Sequence, residues 1–362
     1  MHYLNTNRKQ GLSGLMRVKN DALTLAQSID SCIEALDELI ITYHECTDGS
    51  VQIIENKKLQ YPNKILVIPY PYHVIGVGAT DEEYEYAKTL PAGHPQLLAT
   101  YYNNALQYVN YKYVLKIDAD QIYFTQALMN LRNLIVNGAR QNKLARFCGK
   151  FINEVYCQRR GNRRIWSKWH PLHYLQYILV PVFRKQYVEY AVSELLKGNG
   201  YLSLSGVNVL RYNNRWYSLL GCNVNGIVLP YNGFRDHLIF EADEHTEYLP
   251  WDYQWKISGK RVLIERFVFS EEKTVFLLGF YWFHLRPMKN SNTYLSCFSE
   301  GVGTRFPVNR LGEVSSNSFI KCLNNGKDFL AYWEYRNYFN FMHNLDKKTI
   351  KTNSALLNRF FE

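Results

Sequence analysis

The sequence predicts an α/β protein with a parallel sheet in its N-terminal half, and three observations carry that prediction. Short β-rich runs recur at 12–18, 38–43, 64–68 and 113–117. The stretches between them place apolar residues at helical spacing. Turn-forming clusters close the runs, as in Thr47-Asp48-Gly49-Ser50 and Pro69-Tyr70-Pro71.

Leu12 to Val18 reads as the first strand. Asn20 and Asp21 follow, then a helix through Leu23, Leu25, Ile29, Ile33 and Leu36. Glu38 to Tyr43 is a compact second strand that leads through its turn into another helix, and Lys64 to Ile68 is the third strand. Residues 72–95, rich in Gly, Pro and acid, read as a loop with a short helix. Gln96 to Val109 is helical by the spacing of Leu97, Leu98, Tyr101, Ala105, Leu106 and Val109. Tyr113 to Ile117 is a fourth strand that ends in Asp118-Ala119-Asp120, and a helix follows over Gln126 to Val136.

Beyond that point the chain reads as more β-rich, with strands expected at 145–151, 177–183, 201–210 and 226–230. The segment from Ser316 to Phe361 reads as helical and aromatic. The division expected is 1–125 for a donor-binding half, 126–300 for an acceptor-binding half and 301–362 for a helical C-terminal extension. No internal repeat or low-complexity tract interrupts it.

Composition narrows the class of function. Hydrophobic residues make up 47% and charged residues 20% of 362 residues, a globular balance. The net charge of +10 calls for an anionic partner. No RNP-like signature, zinc-finger spacing or unbroken Lys/Arg block points to nucleic acid; the nearest is Arg159-Arg160-Gly161-Asn162-Arg163-Arg164. With Trp166, Lys168, Trp169, His170 and His173, that stretch suits an anionic acceptor such as a phosphorylated lipid carrier or acidic polysaccharide, or else a solvated loop. The 29 tyrosines suit carbohydrate as well as ordinary amphipathic packing.

Seven scattered cysteines without C-x-x-C, and no secretory leader or long apolar run, predict a cytoplasmic protein. The expectation includes peripheral contact with the inner membrane, to which the C-terminal helices with Lys347, Lys348 and Lys351 would contribute unless they pack against the catalytic domain or a second subunit instead.

Asp118-Ala119-Asp120 carries the chemistry. Ligands of open α/β sheets gather beyond the carboxyl ends of the strands, where these two carboxylates stand. Alternate positions on an extended chain project to one side, so both face one site. Hard oxygen donors suit Mn²⁺ or Mg²⁺, which leave positions for diphosphate oxygens.

Taken together, Arg17-Val18-Lys19-Asn20-Asp21, Thr47-Asp48-Gly49-Ser50, Asn103-Asn104-Ala105-Leu106 and Asp118-Ala119-Asp120 resemble family 2 glycosyltransferases over about the first third of the chain. The resemblance implies a GT-A-like (Rossmann-like) mixed sheet flanked by helices, a nucleotide-sugar donor with UDP favoured, a divalent metal, and inversion at the anomeric carbon. It implies donor contacts by Arg17, Asn20, Asp48 and Asp118. Where the family shows an acid at the end of the second strand, this chain has Tyr43-His44-Glu45-Cys46, so Glu45 or Asp48 stands in, and Asp48 also reads as a turn residue.

In the family the catalytic base opens a helix before a Gly-x-Arg/Lys-Val strand. Asp252, ahead of Gly259-Lys260-Arg261-Val262, matches that place, and Asp236 is the second candidate. His284, after the apolar run Phe280-Tyr281-Trp282-Phe283, matches the family histidine that completes the metal shell with Asp118 and Asp120, or else is a buried histidine bonded to backbone. Arg286 and Lys289 would then neutralise the diphosphate. The expected acceptor is a glycan or lipid-linked saccharide of a bacterial surface polymer. The alternatives are a nucleotidyltransferase acting on sugar phosphates, for which Gly11-Leu12-Ser13-Gly14 is a poor phosphate loop, and a non-catalytic glycan-binding protein of the same fold.

Overall fold

The computed structural model describes residues 8–139, 143–154, 178–220, 222–223, 227–228, 231–254, 260–268, 270, 272–285, 288, 304–313 and 348–361. The chain divides into two compact units, Met1–Gln121 with Ile239–Lys273, and Ile122–Leu238 with Thr274–Glu362.

The first unit is built on four parallel strands, β1 (Lys9–Val18), β2 (Glu38–Tyr43), β3 (Ile65–Pro69) and β4 (Tyr111–Asp118). Between them run α1 (Leu25–Cys32), α2 (Ser50–Gln60), α3 (Asp81–Thr89) and α4 (Leu98–Leu106). β1 is central, with β2 on one side and β4 on the other, and β3 lies outside β2. The chain winds outward from β1 to β3 and then returns to place β4 across β1. That reversal opens a crevice beyond the carboxyl ends of β1 and β4.

Strands covered on both faces read as continuous apolar runs, and here Leu15, Met16, Leu39, Ile40, Ile41, Val114 and Leu115 are all fully buried. Helix starts follow local chemistry. Thr80 and Glu83 form a reciprocal capping box that opens α3.

In the second unit, β5 (Gln121–Tyr123), whose Gln121 still belongs to the first, leads into α5 (Thr125–Asn137) and α6 (Lys143–Ile152). A helical turn at 178–182 then precedes α7 (Arg184–Leu196). The strands β6 (Gly200–Tyr212) and β7 (Arg215–Leu220) pair antiparallel, and a two-residue ladder joins β8 (Cys222–Asn223) to β9 (Ile227–Val228). Of β10 (Tyr231–Glu241), residues Ile239 to Glu241 belong to the first unit and pair antiparallel with β4. The first unit also holds the antiparallel pair β11 (Tyr248–Gln254) and β12 (Arg261–Phe267). Back in the second unit, β13 (Thr274–His284) runs parallel to β6, β14 (Thr304–Pro307) pairs with β7, and α8 (Ala355–Phe361) ends the described chain.

Trp282 is fully buried in the core of the second unit, and a Cβ at Gly206 or Gly233 would collide with its indole. Gly233 also sits at φ +90, where L side chains are strained.

The architecture is the expected mixed sheet flanked by helices, with two corrections in its second half. Residues 145–151 are helical rather than extended. Ala145, Cys148, Gly149 and Ile152 are the buried face of α6, a spacing of three and four that marks a helix where apolar content had suggested a strand. Residues 178–182 are helical as well, whereas Tyr177 lies outside the described residues. Of 226–230 only Ile227 and Val228 are described, as β9. Of the expected C-terminal helices, residues 348–353 and α8 are described as helical.

Candidate functional site

The crevice of the first unit is lined by the ends of β1 and β4. In parallel register Arg17 lies opposite Asp118, and its Nη2 stands 3.7 Å from Asp118 Oδ1. The guanidinium also lies over the Tyr102 ring, 4.3 Å from its centroid. Burial disfavours the charge on Arg17, but Tyr102, Glu265, Asp118 and Tyr101 outweigh it, so its pKa is raised and the cation is fixed. Tyr102, fully buried, has its phenol pushed far up by desolvation and stays neutral.

Asp118 is the last residue of β4, and Asp120, only 6% exposed, sits in the turn that follows. The two carboxylates therefore reach the strand end by a turn, not by the alternation of a continued strand. That turn is pinned from α1. Thr24 Oγ1 donates to the Ala119 carbonyl at 3.0 Å and Ser28 Oγ to the Asp118 carbonyl at 3.3 Å. The Asp118 N–H donates to Gln121 Oε1 at 3.2 Å, closing the turn on its own side chain. Thr24, Ser28 and Gln121 are all fully buried. Sequence reasoning missed them, because a buried Ser or Thr near a helix start reads as a cap.

Asn20 and Asp48, expected as donor contacts, do structural work. Asn20, at φ +56, accepts from the Thr47 N–H at 2.7 Å. Asp48 accepts from the N–H groups of Ala22 at 3.0 Å and Ser50 at 2.9 Å, and Ser50 Oγ accepts from the Asp21 N–H at 2.8 Å. These bonds latch the loop after β1 to the loop after β2. Partial burial pushes the Asp48 carboxyl up, but the hydrogen bonds outweigh it and the pKa is lowered.

Beside the latch, Glu45 accepts from His73 Nδ1 at 2.7 Å and lies 3.4 Å from Lys19 Nζ, and His73 Nε2 is 3.3 Å from Glu83. The His73 bond holds the Glu45 carboxyl below its usual range.

Asp252 also departs from expectation. It lies within β11, in register with Leu263, rather than at the start of a helix. Its Oδ1 accepts from the Tyr84 hydroxyl at 2.9 Å and its Oδ2 pairs with Arg261. An aromatic-rich strand, Tyr248-Leu249-Pro250-Trp251, carries it there, and the cross-strand pairing with β12 holds it. Behind Asp118, Lys116 and Glu265 form a buried ion pair at 3.0 Å, with side chains 4% and 10% exposed.

In the second unit, His284 closes β13, and its Nδ1 lies 2.7 Å from Asn208 Oδ1 in a hydrogen bond. Asp236 is exposed and lies 3.5 Å from the buried His237, whose ring packs edge-on against Trp282. Arg286, Lys289 and the basic stretch 159–173 lie outside the described residues.

The donor set at the strand end, two carboxylates on a pinned turn, suits a hard divalent cation that fills its remaining positions with diphosphate oxygens and water. Among the described residues no group of three His, Cys, Asp or Glu side chains forms a fuller protein shell.

Comparison with known proteins bears on the same part of the chain. The family model described as β-1,4-N-acetylgalactosaminyltransferase (CgtA) matches residues 9–135. No curated protein matches the chain. Among solved structures, a mycobacterial protein aligns at 17% identity over 32% of each chain with a TM-score of 0.20. Glucosyl-3-phosphoglycerate synthase from Mycobacterium tuberculosis, in complex with Mn²⁺, UDP and glucosyl-3-phosphoglycerate, aligns at 13% identity over 51% of this chain and 64% of its own, with a TM-score of 0.23. S. aureus TarS 1–349 aligns at 10% identity over 95% of this chain and 91% of its own, with a TM-score of 0.29. The first two alignments span less than two thirds of those chains. The family match falls on the part of the sheet that carries Arg17 and the two carboxylates.

Proposed function

We propose that this protein transfers a sugar from a nucleotide-sugar donor, with UDP as the nucleotide, to a glycan or lipid-linked acceptor in the synthesis of a bacterial surface polysaccharide. The observation that carries the reading is the pinned Asp118-Ala119-Asp120 turn facing the crevice at the ends of β1 and β4, with Arg17 alongside. The family match supports an N-acetylhexosamine as the sugar.

Asp118 and Asp120 would hold Mn²⁺ or Mg²⁺, which supplies charge neutralisation for the departing diphosphate. His284 joins this proposal as a metal ligand, and Arg286 and Lys289 as cations for the diphosphate. Arg17 fixes the Asp118 carboxylate and adds a permanent positive charge at the same point.

The acceptor hydroxyl oxygen attacks the anomeric carbon opposite the diphosphate. The sugar–phosphate C–O bond breaks with its electron pair on the diphosphate, and the hydroxyl proton passes to a carboxylate of the protein. Configuration at that carbon inverts. Asp252 and Asp236 are the two candidates for the base. Asp252 must first loosen from Arg261 and Tyr84, whereas Asp236 neighbours a histidine.

The test is thermal stability with a panel of nucleoside diphosphates, with and without Mn²⁺, on the wild type and Asp118→Ala. A ligand that binds only the native state raises its melting temperature. A Mn²⁺-dependent rise with UDP, lost in the variant, supports the donor site. No rise with any nucleotide sinks it. Asp252→Asn and Asp236→Asn, assayed for UDP release with and without acceptor glycans, then separate the two bases: the true one loses transfer and keeps the donor-induced shift.

A further inference from the structure

The net charge of the chain is not spread over it. Residues 122–188 hold twelve Lys or Arg and one acid, Glu154, an excess of eleven, whereas the whole chain carries 42 against 32 for a net +10. The remainder therefore sums to one negative charge, and the basic character that calls for an anionic partner belongs to this one stretch. Six of the twelve, Arg132, Lys143, Arg146, Lys150, Arg184 and Lys185, are described in the structure.

α6 shows what that charge accompanies. Its inner face, Ala145, Cys148, Gly149 and Ile152, is buried. A Cβ at Gly149 would collide with Tyr190 of α7, so the two helices meet at close range and the orientation of α6 is fixed. The outer face then presents Phe147, 72% exposed, and Leu144, 52% exposed, beside the exposed cations Lys143, Arg146 and Lys150. Arg146 is close enough to Glu194 of α7 to favour its carboxylate electrostatically. Ile178 and Val182, each 63% exposed and one helical turn apart, repeat the pattern ahead of the exposed Lys185. Large apolar side chains left in water among cations on a fixed helix face are the composition of a helix that lies in a membrane interface. A nucleic-acid or polysaccharide surface has use for the cations but not for exposed Leu, Ile and Val.

We infer that the outer face of α6, with Ile178 and Val182, docks on an anionic lipid bilayer. Phe147 and Leu144 enter the headgroup boundary, and Lys143 and Lys150 meet lipid phosphates. Such a surface would bring the enzyme to a lipid-linked acceptor, but the docking itself does not depend on the donor site.

The experiment is co-sedimentation of the full chain with vesicles of phosphatidylcholine, alone or mixed with phosphatidylglycerol, with Leu144→Ser/Phe147→Ser and Lys143→Glu/Lys150→Glu variants. All four positions are exposed, and melting curves check that the variants fold. Binding to the mixed vesicles and not to the neutral ones is expected, weakened roughly tenfold or more by the charge reversals. The serine pair should weaken it as well, and neither variant should change the UDP-induced thermal shift. Wild-type protein that ignores anionic vesicles overturns the inference, as does binding that both variants retain. Retention on heparin or RNA without vesicle binding would overturn it in favour of a polyanion surface. Self-association lost in the serine variant, again without vesicle binding, would overturn it in favour of a second copy. Because the vesicle assay uses no nucleotide, its failure leaves the donor reading standing.

Discussion

Arg17 and Asp118 are in register on neighbouring parallel strands, and their side chains meet at 3.7 Å while the guanidinium lies over Tyr102. Removing the cation takes a positive neighbour from Asp118 and from Glu265, which keeps Lys116, and for a pair whose side chains are 26% and 27% exposed the loss is about 1 kcal/mol. Arg17→Gln should therefore lower the denaturation midpoint by that order and abolish the Mn²⁺-dependent UDP shift. Arg17→Lys should rescue stability in part and donor binding poorly, since an ammonium does not reproduce the planar contact with Tyr102. Urea melts with and without nucleotide measure both, and a Gln variant as stable as the wild type would show the pair to be idle.

Lys116 and Glu265 form a more deeply buried pair, in which a β4 side chain meets β12 within the first unit. Glu265→Ala should cost about 3–5 kcal/mol because it strands the ammonium. Lys116→Met combined with Glu265→Leu should recover most of it, since an apolar pair of similar size has no charge to desolvate. The double-mutant cycle in urea is the measurement. Simple additivity of the two single changes would mean that the charges do not interact.

What the sequence revealed depended on how local the signal was. β1, β2 and β4 are runs of buried Leu, Ile, Val and Met closed by Asn, Asp or Gly, and each lay within a few residues of its expected place, so the position of Asp118 followed. α6 was misjudged because its buried positions are small, Ala145, Cys148 and Gly149, and a helix face selected for close approach to Tyr190 carries little apolar signal. The turn contacts were illegible for another reason. Thr24 meets Ala119 across 95 positions and Tyr84 meets Asp252 across 168, and a single sequence holds no record of pairs that only the sheet brings together. Asn20 and Asp48, expected as donor contacts, accept from backbone N–H groups of the neighbouring loop, and those pairings too are formed only in the fold.

The hydroxyls of Thr24 and Ser28 predict a separation of metal affinity from stability. Each donates to a carbonyl of the Asp118–Ala119 peptide units, so losing one leaves a buried acceptor unmet at about 1 kcal/mol or somewhat more. Thr24→Val and Ser28→Ala should leave the fold intact and raise the Mn²⁺ concentration needed for half-maximal UDP-induced stabilisation several-fold, because the turn that aims both carboxylates is loosened. Thr24→Ser, which keeps the donor, should behave as wild type. Equal Mn²⁺ titrations in all three variants would reduce the hydroxyls to ordinary core contacts.

His44 makes stability fall toward acid pH in a defined window. Its side chain is 6% exposed and packs edge-on to Tyr101. Burial first, then Lys19 and Arg17, disfavour the imidazolium against the opposing pull of Glu45, and the folded ring titrates at about 4. An unfolded histidine titrates near 6.5. Between those values the unfolded chain binds a proton that the folded chain refuses, so stability is unaffected above about 6.5 and declines as pH falls toward about 4, by on the order of 3 kcal/mol over the full span. Glu45 adds a loss of its own at the acid end of that window and below it: its carboxyl is held down by His73, so its stabilising effect is lost as the pH falls from the ordinary carboxylate range through the lowered folded value. Urea midpoints at pH 7, 6 and 5 should therefore drop steadily in the wild type and drop less in His44→Gln, which cannot take up the proton in either state. Parallel pH profiles for the two proteins would move the acid sensitivity to another group.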